Sequence, residues 1–177
     1  ARRQRIVKQV EELARSKGGM VLRDEGLVDE VMNLVEFPVA VMGSFSKDFL
    51  RVPKEVLITA MREHQRYFSV VDSQGNLLPY FITISNTRAE DMAVVQAGNE
   101  RVLTARMSDA AYFFDHDVKV PLADRVEGLK KVTYQEKLGS VHDKVERVRK
   151  LAGHLAGIMK ADARTAERAA YLAKADL

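Results

Sequence analysis

The chain has 177 residues, 46% hydrophobic and 30% charged, a balance that builds a core and excludes a disordered, collagen-like or disulfide-stapled class. It has no cysteine, which excludes disulfides, thiolate metal sites and a cysteine nucleophile. No apolar run approaches the ~18 residues of a membrane span, and the net charge of +3, from 28 Lys+Arg against 25 Asp+Glu, permits an acidic partner without demanding one.

The chain opens on Ala1 and runs into Arg2-Arg3-Gln4-Arg5; it stops at Lys174-Ala175-Asp176-Leu177 in a helical pattern, so an internal fragment of a longer protein is expected. Ile6, Val7, Val10, Leu13 and Ala14 have helical spacing over 4–16, and Gly18-Gly19 stops that helix. Residues 20–23 read as a short strand. Val28, Val31, Met32 and Val35 share a helical face, and after Pro38 the stretch 38–45 reads as a strand and turn.

Pro53 suits a first helical position and opens the clearest helix. Val56, Leu57, Ala60, Met61 and His64 form its apolar stripe, with His64 expected as a hydrogen-bonded core residue. Thr59, Arg62, Glu63 and Arg66 form a second face. Residues 67–71 and 77–85 flank the turn-forming Asp72-Ser73-Gln74-Gly75-Asn76, which predicts a hairpin. Pro79 in the second run predicts an edge or entry position for its start.

Residues 92–115 return to helical spacing through Leu103, Met107, Ala110 and Phe114, and Pro121 breaks the pattern. Two helices are expected from 141 onward, the first carried by Val141, Val145, Val148, Ala152 and Leu155, the second started by Asp162. The predicted fold class is α+β: a small mixed sheet with packed helices over 1–118, then an all-helical segment over 119–177.

The sequence has no P-loop, GxSxG or HExxH pattern. His116-Asp117 and His142-Asp143 could each supply an imidazole and a carboxylate to a divalent ion, or could be ordinary solvated helix ends. His154, one turn after Lys150, reads as a partly exposed helix residue. Arg62, Gln65, Arg66 and Tyr67, with Asn99, Arg101 and Arg106, are side chains that grip phosphates and stack on bases in RNA. An intramolecular reading stays open, in which Arg62 and Arg66 pair with Glu63, Glu100 or Asp109.

The segment VPKEVLITAMREHQRYF at 52–68 resembles the beta subunit of the bacterial heterotetrameric glycyl-tRNA synthetase. GNERVLTARMSDAAYFF at 98–114, TYQEKLG at 133–139, DKVERVRKLA at 143–152 and LAKADL at 172–177 resemble later blocks of that family in the same order. The resemblance implies a cytoplasmic enzyme of two alpha and two beta chains that charges tRNA(Gly) with glycine. The alpha chain would use ATP with Mg, and the beta chain would serve tRNA recognition and assembly. This fragment would then hold no activation site, no catalytic residue, no cofactor and no metal, and no membrane partner.

The resemblance also implies a domain similar to the editing-type domain of the phenylalanyl enzyme, followed by the start of an HD-like helical domain. An active HD domain has a His-x-x-Arg-Val setting and a later His-Asp pair. Lys144 and Ala175 stand at the two histidine positions, and only Asp176 matches. Neither an ammonium nor a methyl group offers a lone pair to a metal. His142-Asp143 lies out of register with both positions. Two alternatives stay open: a metal-dependent HD phosphohydrolase using His142, Asp143 and Asp176, and a pure protein–protein scaffold.

Overall fold

The computed structural model describes residues 1–177, which fold as two compact units, Ala1–Asp115 and His116–Leu177. In the first, α1 (Arg2–Ser16) buries Ile6, Val10 and Ala14, one per turn. After Gly18, at φ 71°, the chain enters β1 (Met20–Val21) and then α2 (Glu25–Leu34). Asp24 caps α2 by accepting the Leu27 N–H at 2.8 Å. β2 (Val39–Ser44) leads through a 3₁₀ turn at Lys47–Arg51 to α3 (Lys54–Gln65), which begins directly after Pro53.

The hairpin β3 (Phe68–Val71) and β4 (Leu77–Ser85) follows, closed by Asp72 accepting the N–H groups of Gln74 and Asn76. The long helix α4 (Met92–Asp117) comes last. The sheet runs β1-β3-β4-β2 with every neighbour antiparallel, in place of the expected mixed sheet.

The alternation of side chains across the sheet builds a three-layer unit. Phe68, Val70 and Ile82 pack on one face with Ile6, Val10, Leu27 and Val31 of α1 and α2. Val71, Leu77 and Phe81 pack on the other with Leu57, Met61, Leu103 and Met107 of α3 and α4. Each large apolar side chain buried in this way contributes about 1.5–3 kcal/mol.

Pro79 is the third residue of β4, a central strand, so it stands at the strand's entry and not at a sheet edge. It is tolerated because the β3–β4 register shifts between Ser69 and Val71, so four steps of β4 face two of β3. His64 is exposed in the last turn of α3, not buried.

The second unit contains α5 (Leu122–Arg125), a 3₁₀ turn at Val126–Lys131, β5 (Thr133–Gln135), β6 (Gly139–Ser140), α6 (Val141–Ile158) and α7 (Ala163–Leu172). The expected all-helical segment is therefore interrupted: residues 133–140 form an antiparallel hairpin whose second strand begins on Gly139 at φ 86°. Val126, Leu129, Val141, Val145 and Ala175 form its core. Asp162 starts α7 as expected, accepting the Arg164 N–H at 3.0 Å. Val148 and Leu155, expected in the core, are exposed, because α6 buries Val141, Val145 and Ala156 instead. No helix is long and apolar enough to cross a membrane.

Candidate nucleic-acid interface

The sequence-predicted residues divide between two helices of the first unit. Arg62 lies in the last turn of α3 and turns inward. Its Nε donates to Asp24 Oδ2 at 2.6 Å, and its Nη1 pairs with Glu63. Burial works to raise the Asp24 carboxyl, but the Leu27 N–H and the Arg62 guanidinium outweigh it and hold the group below the ordinary carboxylate value. Arg66 sits in the left-handed conformation at φ 55° just past the helix and donates to Glu30 of α2 at 2.7 Å. Both arginines clamp α3 to α2. Of the intramolecular partners named from sequence, only Glu63 is used.

Tyr67 is 4% exposed and stacked on Phe81 at 4.6 Å, so the ring offers no face to a base. Its hydroxyl donates to Asn99 Oδ1 at 2.6 Å, and the Asn99 amide nitrogen donates to Val95 O at 2.7 Å. Burial pushes the Tyr67 hydroxyl up to about 12. Tyr67 and Asn99, expected as RNA contacts, are thus internal fastenings between the sheet and α4. Glu100 does not meet either arginine. It accepts the N–H and the hydroxyl of Ser44 at 2.8 and 3.1 Å. Burial works to raise that carboxyl, but hydrogen bonds from Gln96 and Ser44 hold it below its ordinary value.

Gln65 is half-exposed at the end of α3, and Arg101 and Arg106 are exposed on α4. Neither of these two arginines has a carboxylate partner. Sequence reasoning also passed over Arg88 and Arg5, which likewise have no carboxylate partner. Arg88 stands in the loop before α4, and Arg5 lies over the Phe37 ring at 4.4 Å. Nothing in the local pattern separated them from the paired arginines.

In the second unit the HD-like positions do not gather into a metal site. Ala175 is 2% exposed in the core, Lys144 lies over the Tyr134 ring at 4.2 Å, and Asp176 is exposed. Lys144 and Ala175 have no lone pair to give, so the residues do not fit a bound metal. Asp143 is occupied in a capping box, accepting the Ser140 N–H at 2.8 Å while Ser140 Oγ accepts the Asp143 N–H at 3.2 Å. His142 is half-exposed beside it, and His116-Asp117 closes α4. No three His, Asp or Glu side chains lie together in an arrangement that could hold a metal ion. With the hairpin at 133–140, the HD likeness rests on sequence matches alone.

Of the sequence-predicted cations, only Arg101 and Arg106 of α4 are thus left exposed without an ion pair, while Arg62 and Arg66 are engaged within the unit. All of residues 1–177 match the family described as glycyl-tRNA synthetase beta subunit, and the chain belongs to that family. The glycine–tRNA ligase beta subunit of Geobacter sulfurreducens is 55% identical over 177 residues, covering 99% of this chain and 26% of that protein. Those of Trichlorobacter lovleyi and Geotalea daltonii are 58% and 56% identical, with the same coverage. The chain therefore spans about a quarter of the length of these relatives.

Proposed function

We propose that this chain serves, within a glycyl-tRNA synthetase beta subunit, in tRNA(Gly) recognition and in assembly with the alpha subunit for ATP-dependent glycylation. Activation of glycine with ATP and Mg belongs in this reading to the alpha subunit, within a cytoplasmic assembly of two alpha and two beta chains. The observation that carries the RNA role is the pair of exposed, unpaired guanidiniums of Arg101 and Arg106 on α4. A free guanidinium on a rigid helix meets a phosphate without first breaking an internal ion pair.

The test is tRNA(Gly) binding by the full-length alpha/beta enzyme across a salt series. Each lost phosphate contact lowers the slope of log affinity against log salt by roughly 0.7–0.9. Arg101→Ala with Arg106→Ala is expected to weaken binding and lower the slope by roughly twice that amount. An unchanged affinity and slope would remove these two side chains from the RNA interface.

The assembly role has its own support. Val148, Leu151, Leu155 and Ile158 form an exposed apolar stripe along α6, between 43% and 65% exposed. Leu151→Ser with Leu155→Ser is expected to loosen subunit association measured by sedimentation while leaving the salt slope intact. An unaltered association would exclude this stripe from assembly.

A further inference from the structure

We infer that the outer edge of β2 is a docking site for an extended acidic peptide segment of a separate polypeptide, which adds to the sheet as a short strand centred on Met42. β2 is one margin of the sheet, and an open margin presents unpaired backbone groups unless something covers it. Most of this margin is covered. Gln9 of α1 donates to Pro38 O at 3.1 Å and accepts the Ala40 N–H at 2.7 Å, taking the place of a neighbouring strand. At the other end Glu100 of α4 accepts the Ser44 N–H.

Residues 40, 42 and 44 share the same outward phase, since the Phe45 N–H bonds to Pro79 O of β4 while the Ala40 and Ser44 N–H groups bond away from β4. Met42 stands between the two capped positions. Its N–H and C=O face outward with no protein partner, as does the Ala40 C=O. The opening admits one residue of an added antiparallel strand, which exchanges both backbone bonds with Met42.

A groove of about 590 Å³ runs along this opening, with Leu13 of α1 and Met92 and Ala93 of α4 among its walls. Its charged side chains are Arg5 and Arg88, and neither is bonded to a carboxylate. No acidic residue lines it. The floor therefore calls for the N–H and C=O of a single facing residue, and the rim calls for negative charge on an otherwise apolar strand. An acidic peptide supplies both. A nucleic acid supplies the charge without the matched backbone pair, and an apolar helix supplies neither. The site owes nothing to the residues assigned to tRNA above.

The test uses the full-length alpha/beta enzyme and two blocked peptides, acetyl-Glu-Val-Thr-Val-Glu-amide and its Gln-substituted counterpart, with hydrogen exchange read at the Met42 amide and binding read by anisotropy. The Glu peptide is expected to slow exchange at Met42 and to bind with a dissociation constant of about 1 mM or tighter. Replacing its Glu residues with Gln, or making Arg5→Gln with Arg88→Gln, is expected to weaken binding roughly fivefold or more, the scale of exposed ion pairs. Met42→Pro removes the N–H at an edge where proline is tolerated and is expected to abolish binding, with Met42→Ala retaining it. Three results would overturn the inference: no slowing at Met42, equal binding of the Gln peptide, or a Met42 amide already protected before peptide is added. Protection by oligouridylate in place of the peptide would also overturn it and make the groove an RNA site.

Discussion

The Tyr67 hydroxyl donates to Asn99 Oδ1 at 2.6 Å across 32 residues of sequence, joining the start of the β3–β4 hairpin to the first half of α4. Tyr67→Phe removes the donor and leaves Asn99 Oδ1 without it. The variant is expected to lose about 0.5–1.5 kcal/mol at neutral pH by urea unfolding. The folded Tyr67 ionises at about 12 against an ordinary 10.0, so its contribution is intact below pH 10 and is lost as pH rises through about 12. The stability gap between wild type and Tyr67→Phe should narrow across that window. A gap that stays constant there would show that Tyr67 is not held neutral by burial.

The Arg62–Asp24 pair makes a prediction about acid. Asp24 is held below its ordinary value, so the stabilisation it provides is complete above that value, about 3.9, and is lost as pH falls through the lower folded one. Asp24→Asn keeps an acceptor for the helix cap and removes the charge. It is expected to melt below wild type at neutral pH, with the difference closing under acid. Asp24→Ala also removes the cap and is expected to cost a further 0.5–2 kcal/mol or about that. Arg62→Ala should lower the melting temperature without altering the salt slope for tRNA, the opposite signature to Arg101→Ala.

Ser140 and Asp143 fasten the start of α6, so the His142-Asp143 pair has a structural use. Ser140→Ala is expected to destabilise the protein by about 0.5–2 kcal/mol in a thermal melt. Asp176→Ala is expected to leave elemental metal content unchanged. Stoichiometric metal that disappears with Asp176 would restore the phosphohydrolase reading.

The first unit was readable where the signal is local. The β3–β4 hairpin shows alternation on both sides of a turn built on Asp72, and α3 shows an apolar stripe behind Pro53. The use of Arg62 was not readable, because its partner Asp24 lies 38 residues away on another helix. The use of Gln9 was not readable either, because the β2 backbone groups it bonds lie 29 and 31 residues away. The β5–β6 hairpin escaped because residues 133–138 are exposed throughout and carry no apolar alternation to reveal a strand. Of the seven residues singled out for RNA, Tyr67 and Asn99 have the right chemistry for a base, but burial turns that chemistry inward.

α6 ends with the Ala161 N–H bonded to Ala156 O at 2.9 Å and the Lys160 N–H to Gly157 O at 3.3 Å, with Lys160 at φ 56°. This hydrogen-bond pattern favours glycine at the left-handed position, where a side chain costs about 1–2 kcal/mol. Lys160 is exposed and forms no ion pair that would offset that cost. The position is therefore a reserve of thermal tolerance that natural selection has left unspent. Lys160→Gly is expected to raise the melting temperature of the second unit with no change in tRNA binding, and it gives protein engineers a single-site handle on a segment whose core is small.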